Sequence, residues 1–218
     1  MKILAAGDIH GIVSVYEWLI QVAAEQQVDM VLLAGDLSAG SWNEEEQRDE
    51  AQRLISIFKR FSVPVLYVMG NDDFFSLDYE DEFVGPLHGR WLEFGGYNFV
   101  GYQYSTAFVG SIHEKPEQEI EMDLRQVEAL LDSRTVFVSH SPAYGVLDCI
   151  YSGEHVGSRS LAAVLKRRPV LAHIHGHIHH SFGREGNHFN VAAAGSRRAF
   201  LIDLRSLTHT ILRSVTHG

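Results

Sequence analysis

The first seventy residues carry the strongest constraint on the fold. Apolar, β-branched runs at 2–6 (KILAA), 29–34 (DMVLLA) and 63–69 (VPVLYVM) alternate with helical patterns at 14–27 and 43–61. This rhythm predicts an α/β fold whose first strands run parallel, because parallel neighbours need a crossover and a helix supplies it. Ser14 and Glu17 have capping-box spacing, with Val15, Trp18, Leu19 and Val22 on one face of the helix they start. A second helix is expected from Asn43, with the EEE run in its first turn, where the helix dipole favours negative charge. After residue 90 the pattern changes. RWLEF-GG-YNFVGYQY predicts a hairpin through Gly95 and Gly96, then a helix over 117–131 and strands near 135–139 and 170–174. HFNVAAAG, RRAFLIDL and THTILRS read as antiparallel strands. No repeat, low-complexity tract or linker interrupts the 218 residues, so one domain over 1–218 is expected.

Polar residues collect where the strands end. Five strand-like runs are followed at once by an acid, Asn or His beside a small residue: Asp8 and His10, Asp36, Asn71 with Asp72 and Asp73, His140, and His175 with His177. In open α/β sheets ligands bind at the carboxyl ends of the strands, so all five sites can converge. Singly, Gly-Asp is a common turn and a lone Ser-His signifies little, while Asp-x-His can chelate one ion. Together they supply the mixture of carboxylate, amide and imidazole that a two-metal phosphoryl clamp requires.

The blocks GDIHG, GDL, GND, SHSP and HGHIH, in this order over residues 7–179, resemble the five-block signature of the calcineurin-like metallophosphoesterases. The compact size and closing hairpins resemble the small prokaryotic branch. The resemblance implies a four-layer α-β-β-α sandwich of two mixed β-sheets with helices outside. It implies that Asp8, His10 and His177 hold one metal, that Asp36 bridges, and that Asn71, His140 and His175 hold the second. Two divalent ions per chain are therefore expected, drawn from Mn, Fe, Co, Ni or Zn, which such nitrogen–oxygen sites take by availability as much as affinity. Asn71, Asp72 and His140 are expected to serve hydrolysis of a phosphodiester by a metal-bridging hydroxide.

The third block departs from the family. Where the common form is Gly-Asn-His, with the histidine thought to protonate the leaving group or bind phosphate, this chain has Asp72, and Asp73 matches the family's acidic position. An anionic Asp72 repels a dianionic monoester more than a singly charged diester, so a cyclic nucleotide or other small diester is expected. Buried among carboxylates, Asp72 would instead stay protonated and act as general acid. The glycine-rich CIYSGEHVGSRSL stretch is expected to loop over the metals, with Arg159, His155 and Asp73 as substrate contacts.

HIHGHIHH, residues 173–180, leaves a choice among five histidines. Strand alternation places His173, His175, His177 and His179 on one face. With ligands arriving from four other blocks only two are needed, and His175 and His177 are assigned, Gly176 letting the chain turn between them. His173 is then a core residue, and His179 and His180 form the rim.

Composition narrows the partners. A net charge of -10 disfavours long nucleic acid, whose binding needs basic patches, and leaves a small phosphorylated substrate. No apolar run approaches the ~20 residues of a membrane span, and the N-terminal run reads as a strand rather than a secretory signal. The only cysteine, Cys149, is expected to be structural; a free thiol suits a cytoplasmic location, and a homo-oligomer is compatible. The competing readings are a phosphomonoesterase, a nuclease, and a non-catalytic metal-binding scaffold on the same fold.

Overall fold

The computed structural model describes residues 1–192 and 195–214. The expected alternation forms β1 (Lys2–Ala6), α1 (Val13–Glu25), β2 (Met30–Ala34), α2 (Glu44–Phe58) and β3 (Val65–Val68). There follow β4 (Val84–Pro86), β5 (Trp91–Phe94), β6 (Tyr97–Tyr102), α3 (Glu117–Glu128), β7 (Thr135–Ser139), α4 (Arg159–Arg167) and β8 (Ala172–His175). The chain closes with β9 (Gly183–Glu185), β10 (His188–Asn190), β11 (Arg198–Asp203) and β12 (Thr208–Arg213).

One sheet has the order β12-β11-β1-β2-β3-β4 and the other β5-β6-β7-β8-β10-β9. Both are mixed. β1 to β4 are parallel and β11 and β12 antiparallel; in the second sheet β6, β7, β8 and β10 are parallel between antiparallel edges. Three apolar layers hold the sheets and helices together. Tyr16, Leu19, Leu54 and Phe58 pack α1 and α2 onto the outer face of the first sheet. Ile3, Leu32, Val68, Val136 and Ile174 fill the space between the sheets. Ile120, Leu124, Leu161 and Val164 fix α3 and α4 to the second. Along β1, Leu4 and Ala6 face the helices while Ile3 and Ala5 face the other sheet, which is why this strand reads as an unbroken apolar run. The result is the four-layer sandwich of two mixed sheets between helices.

Local details differ from expectation. The Ser14–Glu17 capping box does not form, because the N-cap of α1 is Ile12, two residues before Ser14, with no side-chain cap. Ser14 instead accepts from Arg197, and Glu17 pairs with Arg60. Asn43 does cap α2, accepting from the N–H groups of Glu45 (2.9 Å) and Glu46 (3.1 Å). The 149–161 stretch is not one loop: α4 begins at Arg159, capped by Ser158 Oγ. Of HFNVAAAG, only His188–Asn190 is strand, parallel to β8 and antiparallel to β9; Ala193 and Ala194 lie outside the described residues.

Candidate metal centre

The polar blocks meet at one end of the sandwich because β1, β2, β3, β7 and β8 all deliver their carboxyl ends there. Four of the converging residues have left-handed backbone: Asp8 (φ 53°), His10 (φ 49°), Asp36 (φ 51°) and His177 (φ 72°). Such conformations cost about 1–3 kcal/mol each and persist where the surroundings over-determine them. Tertiary hydrogen bonds do so here. Asp8 accepts from the His177 N–H at 2.9 and 3.0 Å, Asp36 Oδ1 accepts from the Asp72 N–H at 2.8 Å, and Asp36 O accepts from Ile9 N–H at 2.8 Å.

The side chains form two groups whose donor atoms lie within 4.8 Å of one another: Asp8, His10 and His179, and Asp36, His140 and His177. In the first, His179 Nε2 is 3.1 Å from Asp8 Oδ1 and 3.4 Å from His10 Nε2. In the second, His140 Nε2 is 3.4 Å from Asp36 Oδ1 and 2.8 Å from Asn71 Oδ1. His10 Nε2 lies 3.9 Å from Asp36 Oδ2, so Asp36 stands between the groups.

These donors suit divalent cations. His140 Nδ1 is 2.9 Å from the Ala34 carbonyl, which fixes the tautomer and leaves a lone pair at Nε2 in the neutral ring. Asn71 spends its amide N–H on Asp72 Oδ1 (3.3 Å) and so turns its carbonyl oxygen toward that lone pair. In that tautomer Nε2 and Asn71 Oδ1, 2.8 Å apart, are both electron-pair donors, an arrangement that a cation held against both would satisfy. Burial pushes the Asp36 carboxyl well above the carboxylate range, with Asp8 and Asp73 adding to the shift. Burial also raises Asp8, but the His179 hydrogen bond and the neighbouring imidazoles outweigh it and hold that carboxyl low. Burial depresses His177 to about 3, a neutral ring ready to coordinate. Among the described residues neither Asp8 nor Asp36 has a Lys or Arg ion-pair partner, and a metal dication is the compensation this donor set fits.

The structure does not bring His175 to either group; His177 takes the place expected for it, beside Asp36 and His140, and His179 takes the place expected for His177, beside Asp8 and His10. Alternation stops with β8. His177 turns left-handed, and a 3₁₀ turn from His179 to Ser181 carries His179 onto Asp8. Gly176 does not supply the turn; its role is space, since a Cβ there would collide with Asp8 Oδ2. His175 stays buried beside His173, its Nε2 without a hydrogen-bond partner among the described residues. His173 is a core residue, bonded to Ser139 (2.7 Å) and His188 (3.0 Å). The readable signal for His179 was the His-x-His spacing after Gly176, the same two-residue step as Asp8 and His10.

Three proposed substrate contacts lie elsewhere. Asp73 is fully buried and staples two blocks together, accepting from Leu37 N–H, Ser38 N–H, Ser38 Oγ and Gly70 N–H. Arg159 lies 3.8 Å over the Tyr144 ring, and His155 is bonded to Asp148; neither lines the cavity at the metal groups. Asp72 does line it. Its side chain is 37% exposed and stands 3.6 Å from His10 Nδ1, so it is not buried among the carboxylates. The cavity, about 550 Å³, has Asp36, Asn71 and His179 at its polar end and Phe108, Ile150 and Tyr151 in its wall; His180, on the rim, stacks on Tyr151 at 4.3 Å.

Solved structures share this architecture. One covers 97% of this chain and 98% of its own at TM-score 0.76 and 18% identity. TT1561 of Thermus thermophilus does so at TM-score 0.68 and 17% identity, and a dimetal phosphatase from Danio rerio covers 99% of both chains at TM-score 0.62 and 15% identity. At such identities the likeness concerns the fold. No curated protein sequence matches. The family model described as calcineurin-like phosphoesterase matches residues 1–181, and on that match, with the sandwich and its two donor groups, the chain belongs to the calcineurin-like phosphoesterase family.

Proposed function

We propose that this chain is a dinuclear metal-dependent phosphodiesterase acting on a small diester. The observation that carries the reading is the placement of Asp36, a member of one donor group, 3.9 Å from His10 of the other, with Asp36, Asn71, His177 and His179 lining one cavity. Asp8, His10 and His179 would hold one ion, His140, His177 and Asn71 the other, and Asp36 both. Two divalent ions held there supply Lewis acidity toward phosphoryl oxygens and lower the pKa of water. The chain's own contribution is position: left-handed turns fix the ligand atoms, the Ala34 carbonyl sets the His140 tautomer, and Asp72 faces the substrate side.

The diester preference rests on charge. The cavity lining includes Asp72 and no Lys or Arg among the described residues, so a dianion meets a carboxylate with no side-chain cation to offset it. Phe108, Ile150 and Tyr151 offer an apolar wall for the second ester substituent. We place this activity in the cytoplasm, on the reduced Cys149, and take Mn, Fe, Co, Ni or Zn as the resident metals and a small phosphorylated molecule as the partner. No helix is long and apolar enough to cross a membrane among the described residues. The test compares kcat/KM for p-nitrophenyl phosphate and bis(p-nitrophenyl) phosphate on Mn-reconstituted protein. Faster monoester turnover would overturn the preference, and two bound metals with no turnover of either would favour the scaffold reading.

A further inference from the structure

A second donor cluster lies outside the metal centre. Cys149 and His155 face each other across a narrow two-stranded ribbon: Ile150 N–H donates to Glu154 O (2.9 Å) and Val156 N–H to Asp148 O (3.2 Å). The Cys149–His155 pair is thus the non-hydrogen-bonded rung between two bonded ones, where facing side chains come closest. Sγ of Cys149 is 3.4 Å from His155 Nδ1 and 3.7 Å from Nε2. Asp148 completes the set. Its Oδ2 is anchored by the N–H groups of Gly145 (3.0 Å) and Gly157 (2.9 Å), and Oδ1 is 2.5 Å from His155 Nδ1. The carboxylate is fully buried with no Lys or Arg ion pair among the described residues, while His155 keeps 41% of its side chain exposed, giving a route in.

We propose that Asp148, Cys149 and His155 form a separate mononuclear site for a thiolate-preferring divalent cation, Zn²⁺ being the best fit. Zinc takes sulfur at ~2.3 Å and nitrogen at ~2.05 Å, which in a tetrahedron puts the two ligand atoms about 3.5 Å apart. The 3.4 Å separation of Sγ and Nδ1 matches this, and it equals the separation of His10 and His179 in the centre described above. Entry of the cation releases the Cys149 thiol proton to solvent and transfers the proton between His155 Nδ1 and Asp148 Oδ1 to His155 Nε2, which is open to solvent, leaving thiolate, neutral imidazole and carboxylate as ligands, and it spreads Oδ1 and Nδ1 by about 0.9 Å. A water fills the fourth position. The site stiffens the cavity wall, because its ribbon carries Ile150, Tyr151 and Val156, and Cys149 O accepts from Ser181 Oγ (2.8 Å), two residues beyond His179.

Cys149 is the only cysteine, so a spectroscopic signal from metal–thiolate bonding can come from no other residue. Co²⁺ titration of the metal-free full chain should develop a near-ultraviolet sulfur-to-cobalt charge-transfer band whose final amplitude corresponds to one cobalt–thiolate bond per chain and which is displaced by Zn²⁺. Cys149→Ser should abolish the band, and His155→Ala should weaken cobalt affinity at this site at least tenfold. The His179→Ala variant should keep it, which separates this site from the proposed two-metal activity. Cobalt bound with no thiolate band, or a band indifferent to His155→Ala, would overturn the proposal. Unchanged far-ultraviolet circular dichroism in Cys149→Ser, a half-buried position, identifies loss of the band as loss of a ligand.

Discussion

The Nε2 atoms of His10 and His179 stand 3.4 Å apart across 169 residues of sequence, each also beside a buried carboxylate. Two imidazoles this close, next to Asp8, form one of the two donor groups that could hold a metal, and the fifth-block histidine in it is His179. His179→Ala should lose one metal per chain and lower kcat/KM by at least about 100-fold, since even residues behind the ligands cost 10–100-fold. His175→Ala should keep both metals and lose about 1–3 kcal/mol of stability from a core vacancy. Metal analysis of the two variants side by side is the check; metal loss in His175→Ala alone would reverse the assignment.

Asp72 should set the choice of ester. One unit charge ~5 Å from the phosphoryl group is worth about 1–3 kcal/mol at an effective dielectric of ~20–80. Asp72→Asn and Asp72→His should therefore raise the monoester-to-diester ratio of kcat/KM by about tenfold or more. An unchanged ratio would remove Asp72 from substrate discrimination.

Asp73 should matter for stability. Truncation to Ala orphans the N–H groups of Leu37, Ser38 and Gly70 in a buried setting. Hydrogen bonds to a charged group contribute about 1.5–3 kcal/mol, so Asp73→Ala should cost about 3 kcal/mol or more, read as a shift in the urea midpoint. Asp73→Asn, which keeps an acceptor, should cost less.

Metal-free protein should lose stability in mild acid. Burial depresses His175 and His177 to about 3 and His173 well below its ordinary value. Between their folded pKa and about 6.5 the unfolded chain binds protons that the fold refuses, so stability is present above pH 6.5 and falls as pH drops, by about 1.4 kcal/mol per unit for each ring. Asp36, raised by burial, opposes this with at most one proton. Urea midpoints in EDTA at pH 7 and pH 5 should therefore separate clearly, and bound metal should raise the pH 7 midpoint by mass action. Equal midpoints at the two pH values would contradict the burial of these imidazoles as neutral rings.

The sequence by itself determined the early run of elements. The period of its apolar runs marked β1, α1, β2, α2 and β3, Asn43 marked a helix start, and Gly95 and Gly96 marked a hairpin, because these are local choices of backbone and cap. It also marked Asp8, His10, Asp36, Asn71, His140 and His177, each beside a strand end. Tertiary structure decided what local pattern does not encode. His177 and His179, not His175, face the donors because a left-handed residue and a 3₁₀ turn end the strand alternation, and Asp8, 169 residues from His177 and 171 from His179, holds both. Asp73 left the substrate side because four donors, three from the second block and one from its own, claim its carboxylate, and Arg159 left it because α4 begins there and its guanidinium rests on Tyr144. Residue type limits which atoms can coordinate or donate; which partner each one meets depends on long-range packing, which the one-dimensional pattern does not carry.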